Sequence, residues 1–122
     1  MIPVIPMPDY QHIQCATDAG VTHVTFPSGR FDGRAVRELF ELSNQLPESR
    51  QKLLVDCTDV DMVPSGGMGM LITIRKRFLS SGGQLHVAVP EANVMRSFRI
   101  ANMQRLLSLF ESVEQARAGF KP

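Results

Sequence analysis

The sequence predicts an α/β domain: a mostly parallel central sheet of about five strands, opened by an N-terminal hairpin, with about four helices packed on it. Three observations lead there. Asp18-Ala19-Gly20 is turn chemistry between two strand-like stretches near the start. Strand-like and helical segments then alternate to the end of the chain, the pattern of parallel strands joined by helical crossovers. In the middle, Leu53-Leu54-Val55 is a short continuous apolar run, as expected of a central strand buried on both faces.

Residues 10–17 carry the first strand-like pattern, and the alternating β-branched "VTHVTF" of residues 21–26 completes the hairpin. Pro27-Ser28-Gly29 breaks it. Asp32 stands where a helix N-cap belongs, and Val36, Leu39, Phe40 and Leu46 supply a helical stripe that stops at Pro47. The central strand ends at Asp56. A second helix is expected over about residues 66–79, with Met68, Leu71, Ile72 and Leu79 inward and Arg75, Lys76 and Arg77 mostly outward. Ser80-Ser81-Gly82-Gly83 ends it. "QLHVAV" (residues 84–89) reads as the next strand, closed by Pro90. A third helix follows over about residues 91–100, then a short apolar stretch at 106–110 and a last helix over 112–119.

At 122 residues the chain is one domain by length. Residues 1–9 read as an extended arm because prolines interrupt their apolar residues, and residues 10–122 form the domain. With 43% hydrophobic and 20% charged residues, disorder and coiled coil are poor descriptions. No apolar run approaches the ~18 residues that span a bilayer, so membrane insertion is not expected. Cys15 and Cys57 read as two small buried thiols of a cytoplasmic protein, with a disulfide between them as the alternative. His12, His23 and His86 are scattered without metal-ligand spacing, so neither metal nor cofactor is expected. Residues 1–61 carry a net charge of −4 and residues 62–122 a net charge of +5. That asymmetry can orient a charged partner. It falls short of a basic stripe with interleaved aromatics, so nucleic acid is not an expected partner.

The stretch most informative about function is "VDMVPSGGMGMLITIRKR" (residues 60–77), where a strand hands over to a helix. Pro64 makes the chain leave the strand stiffly. Ser65 is placed to cap the second helix. Gly66 and Gly67 leave first-turn N–H groups unshielded, at a cost of roughly 0.5–1 kcal/mol each against alanine. Bare backbone there serves either a partner's close approach or tight packing. The stretch lacks the lysine of a phosphate-binding loop. Pro-Ser-Gly-Gly is not a nucleophile elbow, and His86 is the only histidine after Ser65, so an enzyme is not expected. Asp56, Asp59 and Asp61, just ahead of the loop, read either as solvated turn acids or, for Asp56, as part of a partner surface. Arg75, Lys76 and Arg77 are a solvated face or meet an acidic partner.

Three stretches together resemble the STAS domain, named for sulfate transporters and anti-sigma factor antagonists. "SGRFDG" (residues 28–33) is similar to its glycine-x-x-aspartate lead into the first helix. "LLVDCTDVDMVPSGGMGML" (residues 53–71) is similar to its strand ending in aspartate and its Asp-Ser-Ser-Gly-Leu-Gly loop. "SSGGQLHVAVP" (residues 80–90) matches its glycine pair and following strand. Gly67 and Gly69 fall on the two loop glycines and Met68 on the apolar residue between them. Pro64 stands in place of the usual aspartate, and Gly66 in place of serine or threonine. The resemblance places Ser65 on the serine that a partner kinase phosphorylates. It implies a bacterial regulatory interaction module that binds an anti-sigma factor with a kinase-like ATP-binding fold. Its contacts would be Asp32, Asp56, Pro64, Ser65, Gly66, Gly67, Met68 and Gly69. The alternative it implies is a STAS subunit that binds a transporter ATPase without phosphorylation.

Overall fold

The computed structural model describes residues 10–46 and 51–121; the expected arm at residues 1–9 lies outside them. The order is β1 (Gln14–Asp18), β2 (Val21–Thr25), α1 (Gly33–Gln45), β3 (Lys52–Asp56), α2 (Ser65–Ser80), β4 (Gln84–Ala88) and α3 (Ala92–Ile100). A 3-10 turn (Met103–Arg105), β5 (Ser108–Phe110) and α4 (Val113–Ala118) complete it. The five strands form one sheet in sequence order. β1 and β2 are antiparallel, and every later pairing is parallel. The central position falls to β3, the strand read from the Leu53-Leu54-Val55 run, and all three residues are fully buried.

The strand period of two sorts the sheet into two faces. Val24, Leu53, Val55, Leu85 and Val87 point to one side. There they pack with Leu39 and Leu42 of α1, Leu71 and Ile74 of α2, and Val94 and Phe98 of α3. Val21, Leu54 and Ala88 point to the other side and meet Ala116 of α4. Strands advancing in a single direction with crossovers of one hand put α1, α2 and α3 on the same face. That leaves α4 alone on the second.

Three local readings change. The strand expected from residue 10 begins at Gln14, because Glu38 on α1 accepts from the N–H groups of Gln11, His12 and Ile13 at 2.8, 2.6 and 3.1 Å. Those donors are satisfied without a ladder. On α1 the fully buried stripe is Ala35, Leu39, Leu42 and Ser43, while Val36, Phe40 and Leu46 pack at its margin. On α2 the buried set is Gly67, Met68, Leu71, Ile74 and Phe78. Leu79, expected inward, is 49% exposed; Phe78, one position earlier, takes the place on the seam four residues after Ile74.

Candidate functional site

The site is the corner between β3 and α2, built from two loops laced together. After Asp56 the chain turns with Val60 N donating to Cys57 O at 3.1 Å. Val60 and Val63 tuck into the core, while Met62 between them is 65% exposed. The preceding β2–α1 loop runs alongside: Asp61 N donates to Gly29 O at 3.3 Å, and Arg30 pairs with Met62 as a parallel bridge. Gly29 is required there. Its φ is +75°, and a Cβ would stand 2.9 Å from the Asp59 carbonyl oxygen.

Ser65 does not cap α2. The N-cap is Pro64, with φ −64° and ψ 158°, and no side chain caps the helix. Proline's fixed φ suits the extended geometry of an N-cap, and Met68 N donates to Pro64 O at 3.1 Å. Ser65 is thereby moved inside as the first helical residue. Its hydroxyl is exposed and has no hydrogen-bond partner among the described residues. The first-turn N–H groups have no acceptor within the helix.

The two adjacent glycines have different jobs. Around Gly66 and Gly69 nothing would meet an added Cβ within 4 Å, and both are exposed. Gly67 is buried, and a Cβ there would lie 2.7 Å from Cδ1 and Cε1 of Phe31. Gly66 is therefore the bare backbone anticipated from sequence, whereas Gly67 lets α2 sit directly on the Phe31 ring. Met68 is buried and anchors the first turn from below.

Asp32 is a helix cap, as expected, accepting from Arg34 N and Ala35 N at 3.1 Å each. The bond from Ala35 N is the main reason its carboxyl titrates below the ordinary value. A lowered folded value contributes stability above the unfolded carboxylate pKa and loses it as pH falls through the folded one. Asp32→Ala is therefore expected to lower Tm by a few degrees at neutral pH, with the difference closing in acid. Asp32→Asn retains the cap at both. Thermal scans at neutral and acid pH check this.

The Asp56 side chain sits at the carboxyl end of β3, bonded to Thr58 of the corner loop. It shares its sheet face with Leu54 and points toward α4, away from α2. It is 8% exposed. Oδ2 lies 2.7 Å from His23 Nε2, and Oδ1 accepts from Thr58 N at 2.9 Å and from the Thr58 hydroxyl. Arg117 Nη2 is 3.2 Å from His23 Nδ1. A guanidinium only donates, so Nδ1 accepts and Nε2 carries the proton given to Asp56. Sequence reasoning missed this network because its members are 33 and 94 residues apart.

The basic triplet divides. Lys76 is solvent-exposed. Arg75 Nη1 donates to Leu106 O at 3.0 Å. Arg77 donates to Ser43 Oγ at 2.6 Å and to Asn44, and lies over the Phe40 ring at 5.5 Å. Two of the three are thus tied to neighbouring elements. Cys15 and Cys57 are unpaired thiols; Cys57 is buried as expected, whereas Cys15 on the edge strand is only partly so, and burial pushes the Cys57 thiol far up. Among the described residues no three histidine, cysteine or acidic side chains gather as a metal site, and no helix is long and apolar enough to cross a membrane.

With the geometry fixed, comparison with known proteins identifies the family. Residues 13–116 match the family model described as the STAS domain. A Thermotoga maritima protein named as an anti-sigma factor antagonist is 25% identical over 71 residues, 58% of this chain and 63% of that protein. A homologue from Thermotoga neapolitana is 27% identical over the same length and shares. The match therefore spans somewhat under two thirds of these curated relatives. Among solved structures, an anti-sigma factor antagonist from Thermotoga maritima superposes with TM-score 0.71 at 17% identity, covering 89% of this chain and 94% of that one. A STAS domain protein from Planctomyces limnophilus gives 0.72 at 18% identity, covering 85% and 93%. The five-stranded sheet, antiparallel at β1–β2 and parallel after it, and the match over 13–116 agree: this chain belongs to the STAS domain family.

Proposed function

We propose that this STAS chain is a non-enzymatic anti-sigma factor antagonist. In this reading it binds an anti-sigma factor with a kinase-like ATP-binding fold, and phosphorylation of Ser65 releases it. The contact surface is Pro64, Ser65, Gly66 and Gly69, with the Asp32 loop alongside and Met68 and Gly67 fixing the turn from beneath. Asp56 contributes by shaping the corner rather than by touching the partner. The observation that carries the reading is the uncommitted, exposed hydroxyl of Ser65 at the start of α2, beside the bare backbone of Gly66.

A phosphoryl group there adds about −1.5 to −2 charges. The helix dipole and free N–H groups tolerate an anion at that end, so the domain keeps its shape. A partner packed over Gly66 meets a dianion it cannot solvate, and the complex weakens. Nothing in this surface calls for catalysis: both nitrogens of His23 are occupied on the opposite face. The names of the curated relatives support the antagonist reading. Pro64, in place of the family's aspartate, favours a second one, in which a transporter ATPase is bound without phosphorylation.

Capture of partners from native cells separates the two. The expected result is a kinase-like ATP-binding protein retained by wild type and Ser65→Ala, with affinity at least about tenfold lower for Ser65→Asp. Peptide mass spectrometry should find phosphate on Ser65. Equal affinity of Ser65→Asp and wild type would refute the phosphorylation switch, and a transporter ATPase as the captured partner would establish the second reading.

A further inference from the structure

β5 pairs only with His86–Ala88, so Gln84 and Leu85 of β4 have no strand on their outer side. Where β5 would have continued there is a cavity of about 440 Å³, within the roughly 300–1,000 Å³ range of small-molecule sites. Its walls include Arg75 and Leu79 of α2, Gln84 and His86 of β4, Ser108, and Lys121.

His86 is the most informative wall. It is 7% exposed, with Nδ1 2.7 Å from the Ala116 carbonyl oxygen. A carbonyl only accepts, so Nδ1 carries the proton and Nε2 keeps its lone pair. No described residue donates to that nitrogen. The ring is held by stacking on Phe120 at 3.9 Å and tilting against Phe110 at 4.6 Å. Burial first, and the Arg75 charge in addition, hold its pKa below the ordinary value, so the lone pair is available at neutral pH. The Nε2 atom itself is not sealed off, so it opens to the cavity that His86 lines and can accept from a molecule there.

Two of the other walls, Arg75 and Lys121, are cationic. Arg75 is steadied by its bond to Leu106 O. Gln84 and Lys121 clasp each other through the Lys121 backbone, N to Oε1 at 2.9 Å and Nε2 to O at 3.0 Å. The clasp fixes the Lys121 backbone and leaves its ammonium without an ion pair among the described residues. Among the described residues no Asp or Glu side chain lines the cavity.

We propose that this cavity binds a small anionic metabolite, its carboxylate or phosphate held by Arg75 and Lys121 and a hydroxyl or N–H on the same molecule donating to His86 Nε2. Leu79 receives the aliphatic part. Charge-assisted contacts to a fixed guanidinium supply the affinity, and the neutral imidazole selects ligands that carry a donor beside the anion.

Imidazole 15N NMR on the full chain tests this, with glycerol 3-phosphate and malate as separate probes. The expected result is a saturable shift of His86 Nε2 with at least one probe, saturating by the low millimolar range. Saturation by the first alone assigns the anion as phosphate, by malate alone as carboxylate. Arg75→Gln and Lys121→Gln should each weaken binding about tenfold, while Ser65→Ala leaves it unchanged. No saturable shift with either probe, or full affinity in both charge variants, overturns the proposal.

Discussion

Gly67→Ala is expected to lower the unfolding free energy by about 2 kcal/mol, a fall of roughly 5–10 °C in Tm, although alanine is the better helix former. The added methyl arrives 2.7 Å from two carbons of Phe31. That ring is 2% exposed and lies 4.7 Å from the Phe26 ring, itself 1% exposed, so it has nowhere to yield. Overpacking of this kind costs about 1–3 kcal/mol and outweighs the gain in helix propensity. Gly66→Ala is the matched control: with no atom within 4 Å of its Cβ, it should stabilise by up to about 1 kcal/mol. Urea unfolding of the two variants compares them directly. If both moved stability the same way, α2 would not be resting on Phe31.

Asp56→Ala should cost about 2–3 kcal/mol. The carboxylate is the acceptor for His23 Nε2–H and for both donors of Thr58, and its removal strands a half-buried imidazole N–H. The Asp56–Thr58 bonds also shape the turn that leads to Ser65, so amide exchange over residues 57–63 should quicken in the variant. Asp56→Asn keeps one oxygen for Thr58 and should fall between. A loss below about 0.5 kcal/mol for Asp56→Ala would show that the network contributes nothing beyond ordinary surface contacts.

The fold was legible where local chemistry and tertiary context agree. The apolar run at Leu53-Leu54-Val55 marked the central strand, and Asp32 its helix cap, because each depends on neighbouring residues alone. Legibility ended where distant segments decide. Nothing near Gly67 in sequence announces Phe31, and nothing near Asp56 announces His23. Ser65 looked like a cap because serines before helices usually are, and one proline displaced it by a single position. The cavity beside His86 arises from the shortness of β5, a length that the apolar stretch at 106–110 does not reveal.

The lacing of residues 29–30 to 61–62 bears on kinetics. A docking partner finds the corner already set, so little loop ordering is left to oppose the encounter. Association should then run at a rate set by diffusion and ionic strength, nearly free of a slow rearrangement step. Differences between rival partners would appear in how long they stay.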